Sequence, residues 1–252
     1  MSENRVSVDI DATGVAIVTM RRGAHHNALD DEMIAALLKS AEQIKSNPEV
    51  RAVILQGEGE SFCAGLDVKH YLQDPDRIDD LLVRSSKQIA NLAQRVSCDW
   101  QHLPVPVIAA ITGNCFGGGL QLALGADLRV AAPQARLSIM EVRWGLIPDM
   151  GITQSLPKLV GIDIAKELTF TGRVLTGGQA KELRLVSHTA DDPQAYALEL
   201  AHEIAAQPPT AIRAAKRLFN ETWHAAAAAG LRLETDLQRD LLRDLKDRTA
   251  SR

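Results

Sequence analysis

The apolar positions near the start of the chain change period twice. "RVSVDIDATGVAIVTM" alternates apolar with polar residues and breaks at Thr13-Gly14, the pattern of a β-hairpin. "LDDEMIAALLKSAEQIKSNP" then spaces its apolar residues for a helix, with acids at its start and Asn47-Pro48 after its end. "VRAVILQGEG" predicts a buried strand closed by glycines. A loop carrying "SFCAGLDV" follows, and after it a polar helix over residues 78–102. "VPVIAAITG" predicts another strand, "GNCFGGGLQLALGAD" a helix entered through three glycines, and "DLRVAAPQARLSIM" a further strand.

Strand–strand–helix alternation recurring about every 50 residues favours an α/β architecture. No clear internal repeat and no low-complexity linker interrupts it. From about residue 192 onward the pattern is almost wholly helical, in "PQAYALELAHEIAAQ", "TAIRAAKRLFNETWHAAAAA" and "LRLETDLQRDLLRDLKDR". This divides the chain into a core, 1–195, and a helical subdomain, 196–252.

Composition narrows the partners more than the fold. The 252 residues are 46% apolar and 24% charged, ordinary values for a globular protein with ample length for a core. A net charge of −4 gives no reason to expect nucleic acid or an anionic membrane as partner, and 4% aromatics argue against base-stacking surfaces. Cys63, Cys98 and Cys115 form no CxxC pair and read as reduced thiols. The start "MSENRVSVDI" lacks a basic region followed by an apolar run, and no stretch approaches the roughly 20 apolar residues of a membrane span. A soluble, cytoplasmic protein is expected.

Three stretches carry chemistry. "SFCAGLDV" and "GNCFGGGLQ" each follow a buried strand, yet neither matches GxxxxGK[ST] or GxGxxG. Each strand-end turn can point one backbone N–H into a shared space. Two such donors make an oxyanion hole, worth about 3 to 4 kcal/mol of barrier for one donor; plain turns are the other reading. Gly117, Gly118 and Gly119 run into Leu120, Ala123 and Leu124, so bare N–H groups face the positive end of a helix, with the neutral amide of Gln121 close behind. The third stretch, "IMEVRWGLIPDMGITQSLPKLVG", sets Glu141 and Asp149 among apolar residues and turn formers. Burial there would raise their pKa values toward neutral pH; solvation, or pairing with Arg143, Arg136 or Lys158, is the alternative. Adjacent His25 and His26 do not make a metal-ligand set, and no metal is expected. Cys63 and Cys115 have no adjacent histidine to activate them. Trp144 suits the wall of an acyl pocket, and Phe116 suits such a wall or the core.

These motifs, together with "HHNALD" and "AKELTFTGRVLTGGQAKELRLV", resemble the crotonase superfamily, the enoyl-CoA hydratases and isomerases, over about residues 5–220. The resemblance implies a spiral of ββα units with a C-terminal helical region used in trimerisation, commonly as a dimer of trimers. It implies a CoA thioester as substrate, with no cofactor beyond the CoA that the substrate carries. The thioester oxygen would be held by the N–H groups of Leu66 and Gly118. CoA would lie along Ala64, Leu66 and Val68, with Ala24 and His26 approaching its phosphates. Arg21 and Arg22 could add charge there or be solvated surface. The chain ends in "LLRDLKDRTASR", without the Glu-Gly and Ala-Phe stretch that closes many family chains. Lys216 and Arg217 are candidates for a CoA-binding basic residue, against a solvated helix face. The loop around 70–100 would shape the acyl pocket.

The resemblance also frames the choice of reaction. Family hydratases hold one water between two glutamates, which map to Glu141 and to position 121, where this chain has Gln. An amide orients a water but exchanges no proton with it. Isomerisation needs a single base, and Glu141 occupies the position used by one-glutamate isomerases. Asp149, eight residues on, matches the second proton-transfer group of the dienoyl-CoA isomerases, although those also carry an acid at position 121. Double-bond isomerisation is therefore favoured, with Gln121 as a hydrogen-bonding spectator. A hydratase in which Asp149 or a water replaces the missing glutamate, and a non-catalytic acyl-CoA binder, are the alternatives.

Overall fold

The computed structural model describes residues 4–250 except 72, 75 and 85–87. The expected hairpin forms as β1 (Val6–Ile10) and β2 (Val15–Met20), antiparallel with Val6 opposite Met20. Helix α1 (Asp31–Ser46) crosses over to β3 (Ala52–Gly57); the Asp30 carboxylate caps it by accepting the Met33 N–H at 2.8 Å. Strands β4 (Val107–Ile111), β6 (Leu128–Ala131) and β9 (His188–Thr189) continue the sheet in parallel, in the order β1-β2-β3-β4-β6-β9.

Alternation along the central strands feeds two cores. Val53, Leu55, Val107, Ala109 and Ile111 face Met33 and Leu37 of α1 together with Val96 and Trp100 of α4 (Leu92–Gln101). Their neighbours Ile54, Ile108 and Ala110 face Ala197, Ala201 and Ala205 of α9 (Pro193–Ala205). Those three alanines repeat every fourth residue, so one helical stripe covers one face of the sheet.

The polar helix read over 78–102 is two helices, α3 (Asp76–Leu82) and α4, preceded by the short α2 (Val68–Tyr71). Asn91 restarts the helix with a capping box, accepting from Gln94 N–H while the Gln94 side chain accepts from Asn91 N–H. The intervening 85–87 lies outside the described residues. The single strand read in "DLRVAAPQARLSIM" is also two: β6 stays in the main sheet, and β7 (Arg136–Ser138) joins β5 (Asn114–Phe116) and β8 (Leu175–Thr176) in a second one. A turn at Pro133 and Gln134 separates them, because proline cannot continue a ladder.

Helices follow the strands of the second sheet: α5 (Gly118–Leu124) leads from β5 back to the first sheet at β6, α6 (Ile152–Ser155) and α7 (Ile162–Thr171) join β7 to β8, and α8 (Gly177–Glu182) leads from β8 back to the first sheet at β9. These are the expected ββα windings. In the tail, Ala227 and the alanines after it belong to α11 (Ala227–Ala250) instead of extending α10 (Pro209–Thr222). A boundary at 195/196 falls inside α9, which packs on the sheet, while α10 and α11 pack against each other.

Candidate active site

The two glycine-bearing turns are laced together by backbone. Cys63 N–H donates to the Asn114 carbonyl and Phe116 N–H to the Cys63 carbonyl, both at 3.0 Å. Side chains are excluded where the turns touch. Gly65, at φ +91°, would place a Cβ 2.7 Å from the Phe116 carbonyl and 3.4 Å from the Gly118 nitrogen, and a Cβ on Gly119 would strike the Cys63 carbonyl. Leu66 N–H and Gly118 N–H have no acceptor among the described residues, whereas the N–H groups of Gly65, Asp67 and Gly117 are engaged. Two bare donors on adjoining turns can take one anionic oxygen.

A carboxylate wall faces this donor wall. Glu141 opens a 3-10 turn, Glu141–Trp144, and its Oε1 accepts from Gln121 Nε2 at 2.6 Å. The amide is oriented from its other end, since Gln121 Oε1 accepts from Met150 N–H at 2.8 Å. Gln121 is buried and committed at both ends, to Glu141 and to Met150 N–H. Glu141 Oε2 is buried with no hydrogen-bond partner. Desolvation pushes the Glu141 carboxyl above its usual range and the nearby Asp149 charge adds to this, against hydrogen bonds from its own backbone and Gln121. Asp149 is solvent-exposed, yet its surroundings desolvate it enough to raise its carboxyl too. Neither carboxylate has an ion-pair partner among the described residues, so the pairing with Arg143, Arg136 or Lys158 is absent there. A Cβ on Gly117 would lie 3.3 Å from Glu141 Oε1, and one on Gly118 would strike the Met150 sulfur at 2.6 Å. Glu141, the Gln121 amide and the glycine turn of Gly117 and Gly118 thus lie against one another.

The 22–30 loop closes the other side. Ala64 N–H donates to the His26 carbonyl at 2.9 Å, Ala24 lies in the adjoining 3-10 turn Gly23–His25, and Val68 opens α2 just after Leu66. The five residues read as CoA contacts are brought to this edge. Asn27, which the sequence did not single out, organises it: fully buried at φ +53°, it donates to the Glu58 and Ser61 carbonyls and accepts the Arg22 N–H. Arg22 is neither surface nor free charge, being paired with Asp67 at 2.7 Å and Asp30 at 3.3 Å. Arg21 is exposed and pairs with Glu58.

Lys216 is likewise buried, donating to Asp127 at 2.7 Å and the Val105 carbonyl at 2.8 Å, so it fits neither the free CoA cation nor the solvated face. Arg217 pairs with Glu221 on an exposed helix face. Burial pushes the Cys63 thiol up to about 12 and the Cys115 thiol well above its ordinary value, which removes the thiolate a nucleophile needs. Trp144 is 61% exposed, and Phe116 carries the Arg136 guanidinium 5.6 Å from its ring centre. A cavity of about 650 Å³ between α10 and α11, lined by Ala211, Leu218, Leu237 and Leu241, contains none of these groups. Bare donors and desolvated carboxyls, not volume, mark the site.

Comparison with known proteins points to one family. A family model described as enoyl-CoA hydratase/isomerase matches residues 11–250. The mouse methylglutaconyl-CoA hydratase is 37% identical over 88% of the chain and 70% of its own length. The Mycobacterium tuberculosis enoyl-CoA hydratase EchA19 is 38% identical over 82% of the chain and 77% of its own length. A Bacillus anthracis enoyl-CoA hydratase structure superposes with a TM-score of 0.82 at 32% identity, covering 98% of this chain and 97% of that one.

Proposed function

The chain is an enzyme of the enoyl-CoA hydratase/isomerase family, and from that premise we propose that it moves a double bond within an enoyl-CoA thioester. Glu141 Oε2 removes a proton from the carbon next to the thioester. The electron pair of that C–H bond forms an enolate, whose oxygen is held by Leu66 N–H and Gly118 N–H. The enolate collapses as Glu141, or Asp149 beyond it, returns a proton further along the chain. Atoms and charge balance without water or cofactor, CoA being part of the substrate. A single observation carries this reading: Gln121 is bonded at both ends, to Glu141 at 2.6 Å and Met150 N–H at 2.8 Å, which leaves no second acid–base group at that position.

The relatives named as hydratases favour a second reading, in which Asp149 or a bound water completes the two-carboxylate arrangement. In both readings CoA lies along Ala24, His26, Ala64, Leu66 and Val68, and the protein works in the cytoplasm. Among the described residues no helix is long and apolar enough to cross a membrane. Exposed Phe219, Trp223, Leu231 and Leu242 on α10, α11 and the turn between them suit a homotrimer or a dimer of trimers.

The test incubates the protein separately with 2-enoyl-, 3-enoyl- and 3,5-dienoyl-CoA and resolves the products by mass. Conversion at constant mass is expected. A gain of one water overturns isomerisation in favour of hydration, and tight binding with no conversion makes the protein an acyl-CoA binder.

A further inference from the structure

Behind the donor wall sits an arginine that the reaction does not use. Arg22, with its side chain 13% exposed, donates Nη1 to Asp67 Oδ2 at 2.7 Å and to the Ala28 carbonyl at 3.1 Å. Asp67 is the residue directly after Leu66. Leu29 grips Leu66 from both sides, because Leu29 N–H donates to the Gly65 carbonyl at 2.8 Å and Asp67 N–H to the Leu29 carbonyl at 2.9 Å. Asp67 Oδ1 also accepts the His70 N–H that opens α2. Burial alone would raise the Asp67 carboxyl, but the hydrogen bonds from Arg22 and His70 hold it below the ordinary value, and so charged.

A charged carboxylate one residue from a donor meant for an enolate oxygen is a problem. Neighbouring residues are about 3.8 Å apart at Cα, so the two charges would lie in the same neighbourhood, and like charges repel where water is displaced. A guanidinium at 2.7 Å opposes that repulsion. The pairing is specific to Asp67: Asp30, the other carboxylate on Arg22, also has Arg5 at 2.9 Å, whereas Asp67 has no second ion pair among the described residues.

We infer that Arg22 is a positioning residue for the thioester-oxygen site, neutralising Asp67 beside the Leu66 donor and clamping that donor to the 22–30 loop. The inference rests on the proposed role of Leu66 and Gly118, and it holds for isomerisation and hydration alike.

The test compares Arg22→Gln with Arg22→Gln/Asp67→Asn, using acetoacetyl-CoA as the probe. Its enolate has an ultraviolet band of its own, so the enolate fraction of bound probe reads the oxygen site without turnover. Arg22→Gln is expected to bind the probe with the enolate fraction reduced about tenfold, and kcat on any enoyl-CoA turned over reduced alike with KM little changed. The double variant is expected to recover most of both. An unchanged enolate fraction in Arg22→Gln, or a double variant as impaired as the single, overturns the inference; so does wild-type protein that binds the probe without an enolate band. Should Arg22→Gln not fold, Arg22→Lys carries the test, since it loses the guanidinium fork and its deficit should likewise be relieved by Asp67→Asn. A gain of mass in the turnover assay with the enolate result intact removes the isomerase reading alone.

Discussion

The two walls of the cleft are built from different materials. The donor wall is backbone: a short ladder between the turns at Cys63 and Cys115, glycines where they touch, and the Leu66 and Gly118 N–H groups left bare. The carboxylate wall is side chain: one glutamate on a 3-10 turn, an amide locked to it, and an exposed aspartate at its edge. Most side-chain substitutions leave the first wall intact, whereas one atom exchanged in the second changes which proton can move. On the proposed reading, thioester-oxygen binding therefore belongs to the fold, and the choice of reaction to positions 121, 141 and 149. Each wall can be broken separately.

Glu141→Gln should have the largest effect. It keeps the shape of the wall and removes the base, so kcat should fall about 10² to 10⁴-fold with KM nearly unchanged. Steady-state kinetics on the enoyl-CoA that wild-type protein converts will show it; turnover within a few-fold of wild type would place the base elsewhere. Gly65→Ala strikes the donor wall instead. Its methyl must enter at φ +91° and 2.7 Å from the Phe116 carbonyl, beside the Gly118 nitrogen. Losing the alignment of one donor should cost about 10² to 10³-fold in kcat. The same strain should also lower Tm, so circular dichroism and kinetics are needed together.

The walls also differ in how visible they are in the sequence. Glycine spacing marked the two turns, because a turn that admits no Cβ must be glycine wherever it occurs, whereas the choice of Leu66 and Gly118 as donors came from the family resemblance. The three consecutive parallel strands and α1 were equally plain, since both faces of the sheet had to be apolar. Strands β5, β8 and β9 were not, at two or three residues each, too short to show a period. The break in "DLRVAAPQARLSIM" was hidden because apolar residues continue across the turn into a different sheet. Gln121 and Glu141 lie twenty positions apart, and no local pattern says that they share a 2.6 Å hydrogen bond. Arg22 could be misread for the same reason: its partner Asp67 is 45 residues away.

Gln121→Leu probes the joint within the carboxylate wall. The amide donates to the ionised form of Glu141 and so opposes the rise that burial causes. Removing that donor should raise the Glu141 carboxyl further, moving the acid limb of the kcat–pH profile to higher pH. At a fixed pH below the limb the loss should be about tenfold, smaller than for Glu141→Gln. The variant also strands the Met150 N–H, so some loss of Tm is expected. An unmoved acid limb would mean that Gln121 does not tune the base.

The smallest effect should separate the walls in stability instead of rate. Desolvation raises the Glu141 carboxyl in the folded protein above its unfolded value, so between the two the native state binds more protons than the unfolded chain. By linkage, stability then falls as pH rises through that window, and above it the full cost of holding a buried carboxylate is present. Glu141→Gln removes the ionisation and can still hydrogen-bond to Gln121, so the inactive variant should melt a little above wild type at about pH 8 and level with it at about pH 4. Calorimetry at the two pH values checks the sign. A donor-wall variant such as Gly65→Ala should show no such dependence, because its cost is steric and titrates with nothing. Equal gains for Glu141→Gln at both pH values would assign its effect to packing and place the raised carboxyl outside the folding balance.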